Sequence, residues 1–152
     1  MDNGKIRCPW AESSSLMQAY HDSEWGRICH DDQYLFEMLT LEGAQAGLSW
    51  QSILQRREGY RQAFHRFQIH KVAEMTDEEL EALRENPGII RNRLKIYSVR
   101  KNARVCRHWL GSGAASMPGS GILQKESPSW GTGRPWRRYR QSPICHGRSA
   151  GN

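Results

Sequence analysis

The 152-residue chain has no apolar run approaching the ~20 residues that a membrane span needs. Nor does it open on a signal-peptide pattern, so a cytoplasmic protein is expected. Cysteine is scarce. Cys8, Cys29, Cys106 and Cys145 are irregularly spaced, which excludes a disulfide framework. In a reducing compartment, a cysteine near a histidine reads as a thiol or a metal ligand. Period-2 alternation is missing, so strands are not expected. Acid is missing from one end only. Residues 1–105 hold 15 Lys+Arg and 15 Asp+Glu, whereas 106–152 hold seven basic residues and the single acid Glu126. The +6 net charge therefore belongs to the tail and is not evidence that the rest binds nucleic acid.

What is present in residues 1–105 is helical grammar. Asp31 and Asp32 can cap a helix running to about Gly47, and Ser49 can cap "SWQSILQRRE". "TDEELEALRE" carries a capping box, Thr76 with Glu79, and places Leu80 and Leu83 on one face. Pro87-Gly88 breaks the chain. A last helix is expected over about 91–104, with Ile96, Val99 and Ala103 on its apolar side. After Val105 the chain turns to Gly, Ser, Pro and Arg, with only Leu110, Ile122, Leu123 and Ile144 as Leu, Ile, Val or Phe. Such a segment buries too little apolar surface to offset chain entropy. Residues 106–152 are therefore expected to form a disordered tail, although Trp109, Trp130 and Trp136 are unusual in one.

The chemistry-bearing residues lie earlier. "AYHDSEWG" holds Tyr20, His21, Asp22, Glu24 and Trp25. Cys8 and His21 are half of a zinc site by residue type. Cys29 and His30 are further candidates by type alone, and His65 and His70 read as surface histidines. Glu42 lies on the helical row of Leu35, Leu39 and Ala46, an apolar face. Gly43 and Gly47 leave room beside it, and Trp50 follows the turn. A carboxylate walled by aromatics suits the floor of a binding pocket. Tyr20, Trp25, Trp10 and Trp50 are equally readable as plain core or as rings that sandwich a flat base.

"RCPWAESSSLMQAYHDSEWG", "LFEMLTLEGAQAGLSWQSILQRREGYRQAF" and "PGIIRNRLKIYSVRKNA", in unbroken order from about Arg7 to Val105, closely resemble the family of 3-methyladenine DNA glycosylase I, constitutive bacterial alkylation-repair enzymes. The resemblance implies an all-α fold of the helix-hairpin-helix glycosylase superfamily, a structural zinc, and a monomer acting on double-stranded DNA with alkylated bases. It puts Cys8 and His21 on the first two zinc ligands. Glu42 falls on the catalytic pocket acid, and Tyr20 and Trp50 on the rings that stack on the base. Trp10 and Trp25 fall on the pocket wall.

Beyond Val105 the resemblance stops. The family's hairpin and its last two zinc ligands are not readable, and Cys145-His146 is a chance pair. Back-translated and read two nucleotides on, "ASMPGSG" can yield Phe-Asp-Ala-Trp-Leu-Trp. In that frame "ESPSWGTGRPWRRYRQSP" can yield "EPIVGNWKTMEEIPAVT". Both are similar to the family's continuation, so a frame shift is expected in the gene. The expected functions are thus base excision of 3-methyladenine or an inactive truncated form of that enzyme. A third is a DNA-binding module using Arg134, Arg137, Arg138 and Arg140.

Overall fold

The structure, a computed structural model, describes residues 6–112. These fall into two compact units, residues 6–27 and 28–112. Helices are the only regular elements among the described residues, so the fold is all-α, as the sequence leads one to expect. The rest of the expected tail, with Trp130, Trp136, Cys145, His146 and the four arginines, lies outside the described residues.

In the first unit a 3₁₀ turn, Pro9–Ser13, leads into α1, Ser15–Ser23. The Ser14 hydroxyl caps α1 by accepting from the Met17 N–H at 3.3 Å. At the far end the N–H groups of Glu24 and Trp25 both donate to the Tyr20 carbonyl. Gly26 then reverses the chain at φ +72°, a conformation that glycine adopts without steric cost. Among the described residues of this unit only Cys8, Ala11 and Met17 are buried.

The second unit contains α2 (Asp32–Gln45), α3 (Trp50–Leu54), α4 (Arg57–Ala63), α5 (Ile69–Glu74), α6 (Asp77–Ala82) and α7 (Arg93–Gly111). Of the expected caps, Asp31, Ser49 and Thr76 with Glu79 form on α2, α3 and α6, while Asp32 is the first residue of α2; Asn92, not anticipated, caps α7. "SWQSILQRRE" is not one helix. It breaks at Gln55–Arg56, where the Arg56 guanidinium donates to the Ser52 carbonyl at 2.9 Å and so closes the end of α3.

One apolar core runs through this unit. Phe36, Leu41 and Ala44 of α2 meet Ile53 of α3, Tyr60 of α4, Val72 and Ala73 of α5 and Leu80 of α6; Ile96, Val99, Ala103 and Cys106 of α7 complete it. Each large side chain buried this way contributes about 1.5–3 kcal/mol. Basic residues of α7 then close other helix ends. Lys95 Nζ donates to the carbonyls of Ala44 and Ala46 at 2.8 and 2.7 Å, while Arg100 and Arg104 reach the Met75 and Ala73 carbonyls at the end of α5.

Two details tighten the packing. Gly59 meets the backbone of Gly88 so closely that a Cβ on it would stand 2.2 Å from the Gly88 carbonyl oxygen. His65, Arg66 and Phe67 are three consecutive left-handed residues, φ 49°, 52° and 59°. That conformation costs about 1–2 kcal/mol per residue. It is held by the buried Phe67 ring against Phe36, and by Gln33, whose amide donates to the Arg66 carbonyl at 2.6 Å.

α7 corrects the expected boundary at Val105. The helix continues through Gly111, and Cys106 is a core residue. Its spacing after Ile96, Val99 and Ala103 extends the same apolar stripe. Burial also pushes the Cys106 thiol pKa up, away from the reactive thiolate form.

Candidate functional site

Residues 6–27 bring one group of the expected site residues together. Cys8 ends an extended segment immediately before the 3₁₀ turn, and α1 delivers Tyr20, His21 and Asp22 from successive positions of its last turns. The His21 ring stacks on Trp25, with centroids 5.3 Å apart and planes 19° apart. Trp10 meets the same imidazole edge-on at 5.3 Å. Trp10 also contacts Trp25 at 5.4 Å and Tyr20 at 6.4 Å. Trp10 and Trp25, expected in a pocket wall, therefore clasp a histidine, while each stays more than a third exposed.

The polar atoms of this cluster are ordered as well. His21 Nδ1 lies 3.1 Å from Asp22 Oδ1, and the Cys8 N–H donates to His21 Nε2 at 3.4 Å. The Cys8 N–H thus gives Nε2 an acceptor role, while Nδ1 is the nitrogen that faces the Asp22 carboxylate. Asp22 is gripped in turn by Arg7, whose Nε and Nη2 reach the two carboxylate oxygens at 3.0 and 2.9 Å. Composition gave no sign of this Arg7–Asp22 pair. Only Asp22 had a local signal, as an acid adjacent to a candidate metal ligand; Arg7 lies fifteen residues away and had none.

A thiol and a neutral imidazole nitrogen are zinc donors in type. Two such donors are half of the four that a structural zinc takes. Among the described residues no group of three or more His, Cys, Asp or Glu is placed to hold a metal ion, and Cys29 and His30 form none. The described residues therefore do not by themselves make a zinc site.

Glu42 and Trp50 belong to the second unit. Glu42 is exposed, which corrects its expected place on a buried apolar row. The buried row of α2 is Phe36, Glu37, Thr40, Leu41 and Ala44, while Leu39 is 42 % exposed. Both rows have helical spacing. The one carrying Phe36 is inside because that ring has the aromatic partner Phe67 in the core. Trp50 starts α3 and is half-buried against the core. Gly47, at φ +79°, makes the turn between α2 and α3 that carries Leu48.

The buried acid of α2 is Glu37. Its Oε1 accepts from Arg57 Nε at 2.6 Å and from Arg61 Nε at 2.8 Å. Two arginines four residues apart on one helix face were its legible partners. This triad ties α2 to α4 and is structural.

The methyladenine glycosylase family model matches residues 10–115. The chain belongs to that family. The match reaches ten residues past Val105, in agreement with the full length of α7. Over 98 residues the chain is 49% identical to the DNA-3-methyladenine glycosylase of Haemophilus influenzae, covering 64% of this chain and 53% of that protein. It is 51% identical to DNA-3-methyladenine glycosylase 1 of Escherichia coli over 98 residues, covering 64% and 52%. The chain thus spans about half the length of these relatives. A crystal structure of 3-methyladenine DNA glycosylase I superposes with a TM-score of 0.70 at 45% identity, over 72% of this chain and 60% of the other. A tyrosine-to-phenylalanine variant of 3-methyladenine DNA glycosylase I, solved in complex with 3-methyladenine, gives 0.69 at 32% identity, over 76% and 61%.

Proposed function

We propose that this methyladenine glycosylase family chain hydrolyses the N-glycosidic bond of 3-methyladenine in alkylated double-stranded DNA, as a cytoplasmic monomer in base excision repair. The observation that carries the reading is the family match, because it spans Trp10, Tyr20, Trp25, Glu42 and Trp50 together. Tyr20 in the first unit and Trp50 in the second are each assigned a stacking role toward an extruded base by the family resemblance. Trp10 and Trp25 add aromatic faces that favour a cation. Glu42 accepts from the exocyclic N–H and complements the positive charge. As a free, solvated carboxylate it gains its binding strength only when a base docks and water leaves.

3-Methyladenine carries a positive charge in DNA, so its bond to the sugar is already weak. The bond breaks with its electron pair going to the base, which leaves neutral. A water oxygen bonds to the sugar carbon and its proton passes to solvent or to Glu42. No lysine nucleophile is needed, so no strand cleavage is expected. Zinc enters the proposal as a structural ion held partly by Cys8 and His21, where it would fix the first unit. No step of the reaction passes through it.

A second reading, a framework without turnover, is supported by the two-donor metal set and the exposed Glu42. One experiment separates the two: release of free 3-methyladenine from alkylated duplex DNA by the full chain with zinc present. Release that falls roughly 10- to 100-fold in Glu42→Gln, the loss of one charge-assisted hydrogen bond, supports the enzyme. Release no greater than from DNA alone supports the inactive framework.

A further inference from the structure

α2 ends in the turn that leads to Trp50, and one side chain of α7 holds both sides of that end. Ala46 has φ −45° and ψ 115°, Gly47 has φ +79°, and the Leu48 N–H donates to the Gln45 carbonyl at 2.6 Å. These are the marks of a type II turn, with glycine where a positive φ is needed. Lys95 Nζ donates at 2.8 Å to the carbonyl of Ala44, in the last turn of α2. It donates at 2.7 Å to the carbonyl of Ala46, in the middle peptide of the turn. Lys95 is itself well placed. Its backbone N–H donates to the Asn92 cap of α7 at 3.1 Å, and its neighbour Ile96 is buried in the core.

We infer that Lys95 is a positioning residue for the base pocket: by clamping the Ala44 and Ala46 carbonyls it fixes the last turn of α2, which carries Glu42, and the turn into α3, which carries Trp50. The inference rests on the reading of Glu42 and Trp50 as pocket residues, and all of these residues lie in the second unit. The last four carbonyls of a helix have no partner within it, so an end left open frays. A turn centred on Ala46-Gly47 also has two states. Rotating its middle peptide by about half a turn converts type II into type I, and glycine admits both. Lys95 holds the carbonyl of that peptide and so opposes rotation and fraying together. Glu42 is exposed, so burial does not fix it, and the order of its segment has to come from such contacts. A carboxylate and a ring free to drift would lose that freedom when a base docks, at a cost to affinity. An ammonium suits the task because its three donors radiate from one atom and can serve two carbonyls at once.

The test uses the full chain, with free 3-methyladenine as the probe. A strong NOE from the Ala46 Hα to the Gly47 N–H marks the type II turn, and a weak one marks type I. Titration followed by NMR gives the affinity for the base. Lys95→Met keeps the unbranched stem and removes the donor. It is expected to weaken the NOE and to lower the affinity about 10-fold, the loss of one charge-assisted hydrogen bond. Lys95→Arg can reach the same carbonyls and is expected to restore both. Lys95→Gln, whose shorter amide cannot span the two carbonyls, serves in its place if Lys95→Met does not fold. An unchanged NOE in a folded variant overturns the positioning role, even where affinity falls. A weakened NOE with unchanged affinity overturns it as well. A wild-type chain that takes up no base is a separate failure: it sinks the glycosylase reading, and the pocket role of Lys95 falls with it.

Discussion

Residues 6–27 and 28–112 are held by different forces. The larger unit has a continuous apolar core reaching from Phe36 to Cys106. The smaller one buries three side chains and relies on a bidentate ion pair, ring stacking and a helix cap. The residues with candidate chemistry are concentrated where the apolar core is thinnest. A short segment cannot be fixed by burial alone, so directional contacts fix it, and directional contacts also set the orientation of a ligand or a stacking ring.

The comparison breaks most sharply at Gly59. Gly59→Ala forces a Cβ to within 2.2 Å of a backbone oxygen that has no rotamer to move. The expected loss is about 3 kcal/mol, read from the urea midpoint, with weakened hydrogen-exchange protection in α4 and α7. A midpoint equal to wild type would mean that the Gly59–Gly88 approach is not rigid.

Next comes the polar exception inside the apolar unit. Glu37→Gln removes the carboxylate charge shared by Arg57, which is only 13 % exposed, and Arg61, which keeps the Glu58 carboxylate at 3.8 Å. Removing one partner of a buried pair costs about 3–5 kcal/mol. Because Arg61 is about a third exposed and can turn to water, about 2 kcal/mol is expected here. The Glu37→Met, Arg57→Met, Arg61→Leu triple variant should recover most of it. If the triple variant is no more stable than Glu37→Gln, the triad gives the unit more than charge neutrality.

The smallest effect is expected at Glu81, which accepts from Arg84 at 2.7 Å, Arg93 at 2.9 Å and the Tyr97 hydroxyl at 2.7 Å. Hydrogen bonds from Arg84, then Arg93, then Tyr97 lower its pKa from 4.5 to about 2. A depressed carboxylate contributes stability above its unfolded pKa and loses it as pH falls through its folded one. Glu81→Gln should therefore lower the melting temperature slightly at pH 7, and the difference should fade between pH 4.5 and about 2. At high salt it should also shrink, as solvent-exposed pairs do. A difference that persists at low pH would show that the Glu81 shape, not its charge, matters.

Helix identity was legible because capping chemistry is local. Asp31, Ser49 and Thr76 with Glu79 each sit beside the N–H groups they satisfy. The break inside "SWQSILQRRE" was hidden because Arg56 closes α3 with its own side chain, and arginine is a good helix former elsewhere. The side on which Glu42 lies was hidden for another reason. Two rows of α2 share a helical period, and only the tertiary partners of Phe36 decide between them. The end of α7 was hidden because the shift to Gly, Ser, Pro and Arg begins close to Val105, whereas Cys106 still continues the apolar spacing of Ile96, Val99 and Ala103. Of the site, the residue types were legible, and so was the adjacency of His21 to Asp22. The arginine fifteen residues before Asp22 was not, since nothing local links them.

The reach of α7 has a consequence for synthesis. The carbonyl ends of α2 are closed by Lys95, which follows Ala44 by 51 positions, and those of α5 by Arg100 and Arg104, 25 and 31 positions after their partners. On the ribosome, where N-terminal parts emerge first, α2 and α5 leave the exit tunnel with their ends open. They stay frayed until a single late helix latches both. Folding of residues 28–112 is therefore timed by the appearance of α7. Synonymous codons that slow translation once α7 has left the tunnel would lengthen the pause in which the latch can close.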